Sequence, residues 1–147
     1  MKDFQLEQAF GFNVNRTAFL MTEEISKRFA AEGYQLSAQD FGIILRLSKQ
    51  EPMTQREITQ LMLRDKTTIT RRIDKLVKSD LVERETCSND RRQVNIKLTA
   101  AGHAALKATI PIVQAFQTEL YQDIPEEDQL VAIKTLKNIS AKLMSKK

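Results

Sequence analysis

The chain has 147 residues, enough for one ordinary domain with a real core but short for two. It is 41% hydrophobic and 29% charged, with few glycines and prolines, and no stretch approaches the roughly 18–20 apolar residues of a membrane span. A single cysteine, Cys87, excludes an internal disulfide framework. The acid-bearing start MKDFQLEQAF does not read as a secretory signal, so a cytoplasmic location is expected. Charge is unevenly placed. Residues 64–97 hold ten Lys or Arg against six Asp or Glu, and that window accounts for the whole net charge of +4. Such a concentration is what a surface facing a polyanion requires, although a solvated face of mixed charge would look the same by counting alone.

Residues 4–32 read as one long helix, with Phe12, Phe19, Ile25 and Phe29 among polar neighbours and Gly33 as its stop. Its start is crowded with Phe4, Leu6, Phe10, Phe12 and Val14, more apolar surface than a solitary helix tolerates, which suits a partner subunit. Ser37-x-x-Asp40 resembles a capping arrangement opening a second helix, with Phe41, Ile44, Leu45 and Ser48 as the inward stripe and an end near Lys49, ahead of Pro52. Thr54-Gln-Arg-Glu57 is a capping box opening a short helix that turns Ile58, Leu61 and Met62 inward. Leu63-Arg64 then makes a tight connection, and Asp65 can cap the helix that follows.

That helix, from Lys66 to about Ser79, carries Ile69, Ile73, Leu76 and Val77 on one apolar stripe. At about 100° per residue, Thr67, Arg71, Lys75 and Lys78 project from the other side, with Thr68, Thr70 and Arg72 on the flanks. Two short helices joined by a tight turn, the second exposing hydroxyls and Arg near its start, form the helix-turn-helix plan that enters the major groove of DNA. Thr is a mediocre helix former, so three of them so early on an exposed helix call for a reason other than stability. Thr67, Thr68, Thr70 and Arg71 are therefore assigned to base edges, and Arg72, Lys75 and Lys78 to phosphates, with Lys66 beside them.

Residues 81–86 and 93–98 read as two strands, the second alternating Val94, Ile96 and Leu98 with polar residues. The polar loop between them carries Asp90-Arg91-Arg92. Two adjacent arginines at a tip suit the negative potential of a narrow minor groove, and Asp90 can orient a guanidinium. Thr99 caps a long helix to about Gln122, which Pro111 should kink or break near Ile110. Ile124-Pro125-Glu126-Glu127-Asp128 starts the last helix, striped by Leu130, Ile133, Leu136, Ile139 and Leu143.

The order helix, helix, helix-turn-helix, hairpin and two further helices resembles the MarR family of bacterial regulators over essentially the whole chain. The resemblance is most specific in Thr67-Thr-Ile-Thr-Arg-Arg-Ile-Asp-Lys-Leu76, in Asp90-Arg91-Arg92 and in Leu98-Thr-x-x-Gly102. It implies a mainly α fold with a small β-hairpin wing. In that single domain, residues 1–34 and 102–147 form a helical dimerisation layer and residues 35–101 a winged helix-turn-helix. It further implies a homodimer on a pseudo-palindromic double-stranded operator, and a repressor released by a small phenolic or aromatic acid. Arg16, Arg28, Arg46 and His103 are the residues able to neutralise such an acid. Family members commonly have Gly where this chain has Asp80, at a helix exit that favours positive φ.

Two other readings are compatible with the sequence. Cys87 lies beside Arg84 and Arg91, which would lower its thiol pKa and allow a redox-responsive regulator. A winged helix can also serve as a protein-interaction module. An enzyme is not expected, since no nucleophile–base pair, phosphate-cradling glycine loop or metal-ligand cluster is present in the sequence, and no cofactor or metal is called for.

Overall fold

A computed structural model describes residues 3–86 and 93–146. The sequence windows become a 3-10 turn at Leu6–Gln8, then α1 (Phe10–Ala31), α2 (Ala38–Lys49), β1 (Met53–Thr54), α3 (Gln55–Met62), α4 (Lys66–Lys78), β2 (Val82–Thr86), β3 (Val94–Leu98), α5 (Ala100–Tyr121) and α6 (Glu126–Met144). The chain groups into two compact units, Met1–Ile112 and Val113–Lys147. Mainly helical with a small antiparallel sheet, this is the fold class expected from the sequence. Among the described residues, no helix is long and apolar enough to cross a membrane.

In the first unit the expected opening helix is interrupted. Ala9 is extended (ψ 132°), and Asn13 Nδ2 donates to the carbonyls of Glu7 and Ala9 at 2.9 and 2.8 Å, so α1 begins only at Phe10. Its end is as expected. Gly33 (φ +88°) lets Tyr34 N–H donate to Phe29 O and Gly33 N–H to Ala30 O, which satisfies two of the helix's terminal carbonyls.

Both capping boxes form. Ser37 Oγ accepts from Asp40 N–H while an Asp40 carboxylate oxygen accepts from Ser37 N–H, each at 3.0 Å, and Thr54 and Glu57 repeat the exchange at the start of α3. The inward stripe of α2 differs from expectation. Ile43, Ile44 and Leu47 are buried with Asp40, whereas Phe41 and Leu45 are half-buried and Ser48 is exposed. Turning Asp40 inward rotates the helix, because residues 40, 43, 44 and 47 share one face. On α3, Ile58 is buried and Met62 half-buried, but Leu61 stays exposed, contrary to expectation.

The sheet order is β1-β3-β2, all antiparallel. Met53 faces Ile96, Arg84 faces Ile96 from the other side, and Val82 faces Leu98. Met53, Val82, Ile96 and Leu98 join Ile58, Ile69, Ile73 and Leu76 in the core, so the hairpin and α4 share one apolar centre. Strand β1 was not foreseen. Two residues are too few to show an alternation, and they are extended because β3 offers them ladder partners.

Helix α5 is unbroken across Pro111, contrary to a break near Ile110. Pro111 has no N–H to give the Lys107 carbonyl, but the turns on either side continue, and buried Thr109 donates its hydroxyl to the Ala105 and Leu106 carbonyls. In the second unit, α6 exposes Leu130, Ile133, Leu136, Ile139 and Leu143, between 38% and 60% accessible in the single chain.

Candidate nucleic-acid interface

Helix α4 starts where Asp65 caps it. Asp65 Oδ2 accepts from Thr68 N–H at 3.0 Å, and Oδ1 accepts from the Thr68 hydroxyl at 2.6 Å. These bonds, the hydroxyl's first, hold the Asp65 carboxyl below its ordinary value of 3.8, so the cap is intact above that pH and is lost as pH falls through the lowered value. Ile69, Ile73 and Leu76 lie in the core with at most 1% exposure, which fixes the helix's rotation about its axis.

The helix ends on Asp80, at φ +60°. Asp80 N–H donates to Val77 O and Leu81 N–H to Leu76 O, at 3.0 and 2.9 Å. The left-handed exit that family members usually give to Gly is therefore kept here by Asp, a residue that tolerates αL better than most.

The cations of the basic window fall into two sets. Arg72 Nη1 donates to Asp40 Oδ1 at 3.4 Å and to Ser37 Oγ at 3.1 Å, and Lys75 Nζ donates to Asp40 Oδ2 at 3.2 Å. Asp40 itself is fully buried. Arg84 pairs with Asp74, and Lys97 with Glu83 and Glu85 at 3.4 and 3.5 Å, which raises the Lys97 pKa, the Glu83 hydrogen bond foremost. By contrast, Lys66, Thr67, Arg71 and Lys78 are exposed and form no hydrogen bond or ion pair with another described side chain, nor does Arg64 just before them.

Thus the flank of α4 bearing Arg72 and Lys75 is tied to the N-terminus of α2, while the strip bearing Thr67, Arg71 and Lys78 is left open. Lys75 is 51% exposed, so its other N–H donors remain available outward. Of the threonines, Thr68 is occupied at the cap, and Thr70 Oγ1 accepts from Gln55 Nε2 at 2.6 Å, a contact between α3 and α4 that the sequence did not disclose. Asp74, also missed in the sequence, lines one shallow recess with Lys66, Thr67, Thr70 and Arg71. A helical wheel would have found it, since 67, 70, 71 and 74 share a face.

Asp90, Arg91, Arg92 and Cys87 lie outside the described residues. Of the side chains considered for an acidic ligand, Arg28 pairs with Glu24 at 3.1 Å and His103 Nε2 stands 3.8 Å from Glu51, whereas Arg16 and Arg46 are exposed. Among the described residues no group of three His, Cys, Asp or Glu could hold a metal ion.

The Asp40 contacts make a testable statement. Asp40→Ala removes one capping partner, worth about 1 kcal/mol, and two charge-assisted bonds whose donors regain water on exposure. Urea unfolding is expected to show a loss of about 2 kcal/mol, and an unchanged midpoint would contradict this role for the carboxylate.

A helix-turn-helix with an antiparallel hairpin packed behind an open, basic recognition helix defines a winged-helix DNA-binding protein. The MarR family model matches residues 36–94. The transcriptional regulator TcaR of Staphylococcus aureus is 30% identical over 126 residues, 84% of this chain and 80% of that one. The chain belongs to the MarR family and is a DNA-binding transcriptional regulator.

Solved structures agree in fold. A mutant of MarR from E. coli complexed with operator DNA superposes with a TM-score of 0.84 at 21% identity, covering 95% of this chain and 99% of that one. Bordetella bronchiseptica BpsR, described with regulation of its DNA binding by 6-hydroxynicotinic acid, gives 0.84 at 16% identity, covering 95% and 98%.

Proposed function

We propose that the protein is a cytoplasmic, homodimeric repressor that reads a pseudo-palindromic operator through α4 and the wing. The observation that carries this reading is the open strip of Lys66, Thr67, Arg71 and Lys78, joined by Arg64 just before it, in a window whose remaining described cations, Arg72, Lys75, Arg84 and Lys97, are engaged by Asp40, Asp74, Glu83 and Glu85. A surface that only needed solvation would have no cause to sort its charges in this way. Arg71 is the reader of a guanine edge, with Thr67 and Thr70 beside it. Lys66, Lys78 and Lys75 contact phosphates, and Arg72 holds the helix in register through Asp40 and Ser37. Thr68 acts through the cap. In the segment between β2 and β3, outside the described residues, Arg92 is assigned to the minor groove, with Asp90 as its orienting partner and Arg91 beside it in sequence.

The dimer is supported by the apolar face of α6 and by Phe4, Leu6, Phe10 and Phe19, which are 49–81% exposed in the single chain. Control of BpsR by 6-hydroxynicotinic acid supports a small aromatic acid as the releasing ligand here.

The test is operator binding, with the operator selected from a random pool. Arg71→Ala is expected to weaken the selected site about 5- to 100-fold and to flatten preference at one position, leaving random duplex almost unaffected. Lys78→Ala is expected to weaken all sequences alike and to reduce the slope of log affinity against log salt by about 1. Equal losses on specific and random DNA from Arg71→Ala would sink its assignment as a reader. A salt slope near zero for the native chain would sink DNA reading through this strip. Phenolic acids added to the same assay test release.

A further inference from the structure

The open strip of α4 contains an acid that binding to a polyanion does not call for. Asp74 is 58% exposed and lines the recess shared with Thr67, Thr70 and Arg71, on the helix face away from Ile69, Ile73 and Leu76. The other described acids of the window have local uses. Asp65 caps α4, Asp80 takes the left-handed exit, and Glu83 and Glu85 hold Lys97. Asp74 is held by Arg84 of β2, whose Nη2 donates to its Oδ1.

An ion pair this exposed contributes little net stability. A carboxylate beside phosphates, on the other hand, opposes binding to every sequence. Its position therefore makes sense if it discriminates. Arg84 offsets the charge and fixes Oδ1, leaving Oδ2 without a hydrogen bond among the described residues, on a side chain that lines the recess. A fixed carboxylate oxygen accepts hydrogen bonds and gives none. In the major groove it favours the cytosine N4 amino group and repels the acceptors that guanine and thymine present.

We infer that Asp74, oriented by Arg84, is a specificity-determining residue that selects cytosine at one position of each half-site, next to the base pair read by Arg71. This rests on the DNA-reading role of α4 proposed above. It adds an element that rejects wrong bases to one that attracts the right one.

The experiment is selection from a random duplex pool with the native chain, Asp74→Ala, Asp74→Asn and Arg84→Ala. The native chain is expected to select a motif with cytosine preferred about tenfold at one position. Asp74→Ala should lose that preference while binding random duplex at least as tightly, since a negative charge has gone. Asp74→Asn keeps the shape but adds N–H donors, so its preference at that position should move toward adenine or thymine. Arg84→Ala leaves the carboxylate unbalanced and unoriented, so it should weaken binding to all duplexes and also blur the cytosine preference in the selected motif.

If Asp74 only stapled β2 to α4, Asp74→Ala and Arg84→Ala would weaken all sequences alike and leave the selected motif unchanged, which overturns the inference. The same native motif recovered with Asp74→Asn overturns it too. A native chain that selects no motif overturns instead the DNA-reading role on which it rests.

Discussion

Replacing Gly102 with alanine is expected to destabilise the protein by about 3 kcal/mol, and so to lower its melting temperature by roughly 10 °C. An added Cβ would lie 2.0 Å from the Leu81 carbonyl oxygen, 3.0 Å from its carbon and 3.2 Å from Leu98 Cδ2. The first neighbour cannot give way cheaply. The Leu81 carbonyl accepts from Thr99 N–H at 3.1 Å, and Leu81 N–H is itself spent on closing α4. Thr99 also ties the two helix ends together, since its hydroxyl donates to the Asp80 carbonyl and accepts from Gly102 N–H. Relief therefore requires α5 to withdraw from the α4 exit, with loss of at least one hydrogen bond near 1 kcal/mol on top of the overpacking. Helix propensity alone would predict the opposite sign, because alanine is favoured over glycine by about 1 kcal/mol in a helix interior. A calorimetric melt decides between them. An unchanged or raised melting temperature would show that the two helix ends are not locked together.

Placing a charge on the exposed face of α6 is expected to dissociate the proposed dimer. Leu136 is 41% exposed in the single chain, among Leu130, Ile133, Ile139 and Leu143. A buried Leu contributes about 1.5–3 kcal/mol, and a carboxylate in its place adds a desolvation cost. In a two-fold interface each substitution counts twice. Leu136→Glu should thus weaken association by on the order of 10²–10⁴-fold, since 1.4 kcal/mol is tenfold. Analytical ultracentrifugation of the native chain should give a dimer mass and that of the variant a monomer mass, and the variant should lose tight binding to a two-half-site operator. A monomeric native chain at micromolar concentration would refute the dimer.

Much of this protein is legible from local chemistry. Ser37 and Asp40, Thr54 and Glu57, Asp65, Gly33 and Thr99 each act within a few residues of themselves, so the spacing along the chain already contains the bond. For the same reason Ile69, Ile73 and Leu76 declared the buried side of α4, whereas the left-handed exit at Asp80 was implied only by the family resemblance. The short strand Met53–Thr54 was not legible, because its only cause is the β3 edge more than forty residues away. The orientation of α2 was misjudged for a related reason. Nothing local says that Asp40 turns inward, since what draws it there is Arg72 and Lys75, whose bonds reach back 32 and 35 residues.

By itself, then, the sequence determined the capped helix starts and the stop at Gly33, though not the start of α1 nor the continuity of α5 across Pro111, together with the apolar side of α4 and the excess of positive charge in one window. These depend on interactions within one or two turns. Tertiary structure alone decided which of those charges are free. Arg72, Lys75, Arg84 and Lys97 look the same in the chain as Lys66, Arg71 and Lys78, yet each of the first four meets a carboxylate and the last three meet none among the described residues. A charge is neutralised by what stands within about 4 Å of it in space, and only the fold sets that distance.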